Sequence, residues 1–180
     1  MRLILPLSLV LALSLSACST IGRPVGNPSV PLPAQAVEVE AYLGTWYEYG
    51  RYEAPFQEGC EAVTATYSLE DDGDIRVVNA CTRDGERDES EGEAKIVDGS
   101  ANTRLKVAFF KPFYGDYWIL DHGLQGADGL YDWSIVGEPS GTYLWMLTRQ
   151  AKPDADLAMM LEARVKELGY DWSMVRLTRH

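Results

Sequence analysis

The segment Gly44-Thr45-Trp46-Tyr47-Glu48 begins the first of a series of short apolar runs, and this series decides the fold. The next run, Val63-Thr64-Ala65-Thr66-Tyr67-Ser68-Leu69, alternates apolar and polar residues, which is the period of a half-buried β-strand. Asp71-Asp72-Gly73-Asp74 predicts a turn, after which residues 75–81 return as a second strand. These runs therefore predict an antiparallel hairpin.

Candidate strands continue along the chain at the spacing of hairpins, separated by Gly, Asp, Asn or Pro. The eight runs are residues 44–52, 63–69, 75–81, 93–97, 104–110, 116–121, 130–137 and 142–149. No helix of useful length interrupts them, which excludes a βαβ fold. The pattern predicts an all-β fold, either an antiparallel barrel or a sandwich.

One helix is predicted after the last strand. Pro153-Asp154 opens it, and Asp156 in its first turn suits the positive end of the helix dipole. Gly169 ends the helix. Apolar residues recur every three or four positions between these ends, at Leu157, Met160, Leu161, Val165 and Leu168. We expect this apolar face to lie against the outside of the β-structure.

The composition restricts the class of partner. The chain is 46% hydrophobic and 24% charged, which suits one globular domain with a sizeable core. Its net charge of −11 repels nucleic acid and anionic headgroups. Attachment to a membrane would therefore depend on acyl chains and not on a basic face.

The N-terminus resembles the signal of bacterial lipoproteins. Met1-Arg2 is positive, residues 3–15 are largely apolar, and Leu15-Ser16-Ala17-Cys18 resembles a lipobox that is cut before the cysteine. The apolar run is shorter than the about 20 residues that span a bilayer. By this resemblance Cys18 is acylated, and Ser19 favours delivery to the outer membrane, with the domain facing the periplasm. The alternative is an ordinary secretory signal with an incidental cysteine.

These features divide the chain into three segments. Residues 1–17 form the signal, residues 18–37 form an acylated N-terminus and a tether, and residues 38–180 form the domain. The tether is rich in proline, with Pro24, Pro28, Pro31 and Pro33. Such a stretch is extended and semi-rigid, and we expect it to hold the domain away from the membrane.

Two cysteines remain when Cys18 is set aside, and an exported protein meets an oxidising compartment. Cys60 and Cys81 are therefore expected to form a disulfide. A hairpin turn at Asp72-Gly73 places Cys81 opposite residue 63 or 64, so a bulge or a bend is needed to bring Cys60 within reach. The alternative is two free, buried thiols. No metal site is expected, since no histidine or third cysteine accompanies the pair.

Several stretches together resemble the lipocalin family. Residues 44–48 resemble the Gly-x-Trp signature that opens the lipocalin barrel, and Tyr143-Leu144-Trp145-Met146-Leu147-Thr148-Arg149 resembles its last strand. Residues 63–69 and 109–117 are similar to bacterial lipocalins related to apolipoprotein D. The resemblance covers about residues 38–180 and implies an eight-stranded antiparallel up-and-down barrel with one C-terminal helix packed outside.

The resemblance also implies a role for Trp46 and Arg149. In lipocalins the tryptophan plugs one end of the barrel and the arginine lies across its ring, a cation–π contact. Eight strands enclose room for side chains or for one small ligand, so closing one end leaves a cup. These two residues are expected to close the barrel and not to touch the ligand.

Strand parity predicts which residues line the cup. If Arg149 points inward, the two-residue period of a strand also turns Tyr143, Trp145 and Leu147 inward. The same odd parity on the other strands selects mostly apolar and aromatic residues. The expected ligand-binding residues are Phe109, Tyr117, Trp133, Tyr143 and Trp145. Plain core packing is the alternative for each of them, but collectively they suit a lipid tail with a polar head.

The expected function is that of a lipid-anchored carrier, which binds and stores or transports a fatty acid, a lysophospholipid or a similar membrane lipid. Its expected partners are this hydrophobic ligand, the membrane through the acyl anchor, and a second copy in a homodimer. No cofactor is expected.

Two alternatives are an envelope lipoprotein whose barrel is filled by its own side chains, and a lipocalin-type enzyme. The sequence has no Gly-x-Ser-x-Gly, HExxH or phosphate-loop motif, and neither His122 nor His180 has a nucleophile motif nearby. The acidic run 86–93 is interpreted as a solvated loop. An enzyme is therefore not expected.

Overall fold

The computed structural model describes residues 22–180, and over that range the chain forms nine β-strands and two α-helices. The strands are β1 (Gly44–Tyr52), β2 (Glu61–Leu69), β3 (Ile75–Arg83), β4 (Glu86–Ile96), β5 (Arg104–Phe110), β6 (Phe113–His122), β7 (Trp133–Gly137), β8 (Leu144–Thr148) and β9 (Val175–Leu177). The helices are α1 (Val39–Tyr42) and α2 (Ala155–Glu167), with 3-10 turns at Pro55–Gln57 and Trp172–Met174.

The first eight strands form a closed antiparallel barrel. Each of β2 to β7 pairs with the next strand, β8 pairs with β1, and β1 pairs with β2. The closing register places Gly44 opposite Tyr67 and Trp46 opposite Ala65. This confirms the predicted up-and-down barrel. β9, which the sequence did not predict, extends the sheet by pairing with the second half of β1.

The antiparallel order puts the connecting loops at two ends of the barrel. The loops after β1, β3, β5 and β7 lie at one end, which we call the mouth. The loops after β2, β4 and β6, together with α1, lie at the other, which we call the closed end.

The acidic run is a strand and not a loop. β4 begins at Glu86, which lies opposite Arg83, and the pairing with β3 continues without interruption to Ala94. Arg76 binds Glu91 at 2.5 Å and Arg83 binds Asp88 at 3.3 Å across the two strands. The predicted loop was wrong because β3 supplies both the backbone partners and the opposite charges that an acidic strand needs.

Helix α2 packs outside the barrel, as predicted. Its N-cap is Asp154, whose carboxylate accepts a hydrogen bond from the Leu157 amide at 2.9 Å. Leu161 and Val165 are fully buried against outward-facing barrel residues that include Leu120, Ile135 and Met146. No helix within residues 22–180 is long and apolar enough to cross a membrane.

The described part of the proline-rich segment lies along the barrel. The amides of Gly26 and Asn27 donate to the Gly141 carbonyl at the mouth, at 3.0 and 3.2 Å. Further on, the Val37 amide donates to the Ala101 carbonyl at the closed end. Asn27 and Val37 are both buried. Residues from about Arg23 onward therefore do not form a free spacer, and the segment boundaries drawn from the sequence stay predictions.

Candidate functional site

The barrel encloses one large cavity of about 670 Å³. Exposed Phe56 and Phe110 line its outer part at the mouth, and Tyr67 and Leu147 lie deeper. Most of the wall is apolar, with Val63, Ala65, Val77, Ala80, Val107, Phe109, Tyr117, Tyr143 and Trp145 also in contact with the space. The volume falls within the range of about 300–1,000 Å³ that is usual for small-molecule sites.

Four of the five predicted ligand residues line this cavity: Phe109, Tyr117, Tyr143 and Trp145. Tyr143 stacks on Trp145 with ring centroids 5.6 Å apart, and on Phe56 at 5.8 Å. The fifth, Trp133, packs outside the barrel wall, in the cluster that contains Ile135 and Met146. The prediction that Trp133 lines the cavity was therefore wrong.

The register of β7 against β8 explains the position of Trp133. Val136 lies opposite Trp145, and Trp133 lies opposite Thr148. Residues directly opposite each other share a face of the sheet, so Val136 faces inward with Trp145 and Trp133 faces outward. The connecting loop, residues 138–143, has an even length, which reverses the odd–even relation between the two strands. The prediction assumed that odd-numbered residues face inward on every strand, and the even-length loop makes this assumption wrong for β7.

The closed end is built around Trp46 and Arg149. The guanidinium carbon of Arg149 lies 3.7 Å from the centroid of the Trp46 ring, and the ring is fully buried. Arg149 also donates to the carbonyls of Thr45 and Leu43, each at 2.9 Å. The Trp46 indole donates to the Tyr42 carbonyl at 2.8 Å. One cation thus ties α1, β1 and the indole together beneath the cavity.

A buried ion pair borders the cavity nearer the mouth. Arg51, fully buried, binds the Glu48 carboxylate at 2.7 Å and Glu53 at 2.8 Å. Gln57 donates to Glu48 at 2.5 Å and accepts from the Trp145 indole at 3.0 Å. Burial opposes the charge on Arg51, but the Glu48 and Glu53 carboxylates outweigh it and raise its pKa. The Glu48 carboxylate at the cavity wall is thereby paired with a buried cation.

Sequence reasoning missed this pair. An inward Trp46 already implies an inward Glu48 by the two-residue period of a strand. The same period predicts that Arg51 faces outward. It faces inward because the register of β1 against β8 shifts between Glu48 and Gly50, which the sequence does not indicate.

Three tyrosine hydroxyls meet at the deep end of the cavity. The Tyr117 hydroxyl lies 2.9 Å from that of Tyr67 and 3.0 Å from that of Tyr42. Burial raises the pKa of Tyr42 to about 12 and holds the pKa values of Tyr67 and Tyr117 above their ordinary value. All three side chains are therefore neutral hydroxyls at physiological pH.

The comparisons with known proteins agree with this geometry. A family described as a lipocalin-like domain matches residues 37–180. The chain is a lipocalin. It is 35% identical over 163 residues to outer membrane lipoprotein Blc of Vibrio cholerae serotype O1, covering 89% of this chain and 93% of that protein. It is 39% identical over 95 residues to rat apolipoprotein D, covering 52% and 49%. The predicted family is therefore confirmed.

A solved structure shows the same fold. Insecticyanin from the tobacco hornworm Manduca sexta superposes with a TM-score of 0.66 over 87% of each chain, at 15% sequence identity. At that identity the likeness concerns the fold of this lipocalin alone.

In this lipocalin Cys60 and Cys81 form the expected disulfide, with Cα atoms 5.4 Å apart. Thr64 lies opposite Ala80 but Glu61 lies opposite Thr82, so a bulge at Ala62 and Val63 brings Cys60 within reach. Asp88 lies beside the two sulfurs. The sulfurs are bonded to each other, so they do not offer thiolates to a metal ion.

The two histidines of this lipocalin contact backbone carbonyls. His122 is buried, with Nδ1 at 2.8 Å from the Gly123 oxygen and Nε2 at 3.1 Å from the Ala36 oxygen. Nε2 of His180 lies 2.9 Å from the Glu48 oxygen. The contacts with Ala36 and Glu48 join distant segments of the chain, which is a structural role. Cys18, the predicted acylation site, lies outside the described residues.

Proposed function

We propose that this lipocalin carries an amphiphile with a long acyl chain, such as a fatty acid or a lysophospholipid. The observation that carries the proposal is the cavity, which is closed at one end by Trp46 and open to solvent beside Phe56. Lipocalins as a family bind hydrophobic small molecules. A mostly apolar volume of about 670 Å³ that the barrel's side chains leave unfilled also argues against the alternative of a barrel filled by its own side chains.

The energetics favour an apolar tail. Each buried methylene contributes about 0.8 kcal/mol, so a chain of a dozen or more carbons offsets the entropic cost of association. The Glu48 carboxylate in the wall is already paired with Arg51, and no charged group of the ligand is needed to balance it. Affinity is therefore expected to rise with chain length and to depend weakly on salt. We assign no catalytic activity.

We further propose that Cys18 is acylated and anchors the protein in the outer membrane, with the domain in the periplasm. The lipobox-like sequence supports this, as does the similarity to proteins named outer membrane lipoprotein Blc. We expect the anchored protein to store or transport its ligand in the envelope and to form a homodimer.

The path of the N-terminal segment supports an orientation for the anchored protein. Arg23 lies over the Tyr143 ring at the mouth, 4.3 Å from its centroid, and donates to the Glu53 carbonyl at 2.6 Å. Five residue steps separate Arg23 from Cys18, and at about 3.3–3.6 Å per residue they span at most roughly 18 Å. An acylated Cys18 would therefore hold the mouth close to the membrane surface. Phe110 and Phe113, 82% and 79% exposed on the β5–β6 hairpin, would face the lipid.

Native mass spectrometry with lipid extraction tests the carrier function. The protein is produced without its anchor. One sample is measured as purified from cells, and a second sample is measured after delipidation. We expect a co-purified acyl lipid in the first sample and stoichiometric rebinding of a lysophospholipid in the second. A protein that carries no lipid and binds none would instead favour a structural envelope lipoprotein.

A further inference from the structure

Four hydroxyls form a connected row from the cavity into the barrel wall, which we call the hydroxyl row. It runs from Tyr67 to Tyr117 at 2.9 Å, then to Tyr42 at 3.0 Å and to Ser134 at 3.2 Å. The Ser134 hydroxyl lies 3.3 Å from the backbone carbonyl of Asp121, where the row ends. Tyr67 and Tyr117 line the cavity, whereas Ser134 is fully buried behind them.

The Asp121 carbonyl at the end of the row fixes which hydroxyl donates and which accepts in each hydrogen bond. A backbone carbonyl can only accept, so Ser134 donates to Asp121. Each hydroxyl carries one proton, so Tyr42 then donates to Ser134, Tyr117 to Tyr42 and Tyr67 to Tyr117. All four protons are used in this direction. In the reverse direction the Asp121 contact is lost and the Tyr67 proton is left without a partner in the row, which is costly for a buried donor.

The Tyr67 hydroxyl consequently donates its proton to Tyr117, and a lone pair on its oxygen remains free to accept a hydrogen bond. Tyr67 is 5% exposed and borders the cavity, so a ligand group that reaches its hydroxyl oxygen meets an acceptor. A ligand that offers a proton gains a hydrogen bond there without disturbing the row. A ligand that offers only an acceptor gains one bond by reversing the row and loses the bond from Ser134 to Asp121.

We propose that Tyr67 forms a polar subsite at the deep end of the cavity for a neutral hydrogen-bond donor, such as a hydroxyl at the inner end of an acyl chain. The inference rests on the proposed function, in which an acyl chain occupies the cavity. It narrows the ligand class to chains that carry a hydroxyl near the inner terminus, and it disfavours a carboxylate or a ketone at that place.

Two fatty acids that differ only at the terminal carbon test this subsite. Hexadecanoic acid and 16-hydroxyhexadecanoic acid are titrated against the delipidated protein and followed by calorimetry. A wholly apolar cavity would weaken binding of the hydroxylated chain by about tenfold or more, because the hydroxyl loses its water. We expect the hydroxylated acid to bind at least as tightly as hexadecanoic acid.

Tyr67→Phe keeps the ring and removes the acceptor. It should weaken binding of the hydroxylated acid by about tenfold relative to binding of hexadecanoic acid, so the ratio of the two affinities is the quantity compared. Tyr52→Phe is the matched control, because Tyr52 is equally buried but packs outside the barrel wall, where its hydroxyl donates to the Asp171 carbonyl. That variant should not change the ratio of the two affinities.

Ser134→Ala tests the direction of the protons. Without the Ser134 hydroxyl the row can reverse and present a proton at Tyr67, so 15-oxohexadecanoic acid should gain affinity relative to the wild type. The subsite would be overturned if the wild type bound the hydroxylated acid tenfold more weakly than hexadecanoic acid and Tyr67→Phe showed the same ratio of affinities. That outcome would leave the carrier function intact. Failure of the wild type to bind either acid would overturn both.

Discussion

Arg149 holds the closed end of the barrel together by lying 3.7 Å from the centroid of the buried Trp46 ring while donating to the backbone carbonyls of Thr45 and Leu43. The planar guanidinium is suited to this position because it can stack on a ring and donate in several directions at once. A lysine has the charge but neither the plane nor the number of donors.

Replacement of Arg149 should act on stability. We expect Arg149→Ala to lower the free energy of unfolding by about 2–4 kcal/mol, since several buried carbonyls lose a charged donor. Arg149→Lys should recover only part of this loss. Urea denaturation followed by tryptophan fluorescence measures the effect, with Lys152→Ala as a control at an exposed cation. An Arg149→Ala protein as stable as the control would contradict this account of the closed end.

The Glu48–Arg51 pair offers a contrast between buried and exposed charges. Glu48→Gln leaves the fully buried Arg51 without its principal counter-charge, and we expect a loss of about 3–5 kcal/mol. The matched substitution Glu89→Gln breaks the exposed pair with Arg87 and should cost about 0–1 kcal/mol. Thermal unfolding of both variants compares the two sites. Equal costs would show that Arg51 is not held by Glu48.

The disulfide should stabilise the mouth end of the barrel. Cys60 and Cys81 are 21 residues apart, for which the chain-entropy model gives about 3 kcal/mol. We expect Cys60→Ser and the double serine variant to lose a similar amount in chemical denaturation. Thiol titration of the unfolded, non-reduced protein without Cys18 should find no free thiol, and two free thiols would refute the pairing.

The inward position of Trp145 can be tested against the outward position of Trp133. Trp145→Glu places a charge in the path of the acyl chain, at a cost of several kcal/mol unless it protonates, and should abolish fatty-acid binding in a folded protein. Trp133→Phe, outside the wall, should leave the affinity unchanged. Calorimetric titration of a long-chain fatty acid compares the variants, with circular dichroism to check folding. Equal affinities of wild type and Trp145→Glu would place the ligand elsewhere.

The exposed phenylalanines at the mouth should contribute to contact with a bilayer. We expect Phe110→Ser/Phe113→Ser to reduce binding of the unacylated mature protein to phosphatidylcholine vesicles by about tenfold or more, because two aromatic rings no longer enter the lipid. Leu124→Ser is the control, since Leu124 is 85% exposed but lies at the closed end. A change in oligomeric state with unaltered vesicle binding would identify the two rings as a contact between copies of the chain.

Much of the fold could be predicted from local patterns. The alternation in residues 63–69 and the turn at Asp72-Gly73 define a hairpin because both signals depend only on neighbouring residues. Asp154 and Gly169 likewise delimit α2 through capping and backbone conformation. The acidic β4 could not be predicted in this way, because its stability as a strand comes from the partner strand β3 and not from its own composition.

The sequence by itself thus determined the number and order of the barrel strands and the terminal helix, since these follow from periodicity and turn residues. The cysteine count favoured the pairing of Cys60 with Cys81, but the bulge in β2 that brings them together appears only in the structure. Only the tertiary structure decided which side chains face the cavity. That choice depends on loop length and register, so Trp133 turns outward and a shift within β1 turns Arg51 inward. It also depends on contacts between distant strands, and the hydroxyl row from Tyr67 to Asp121 exists only once the closed barrel brings those strands together.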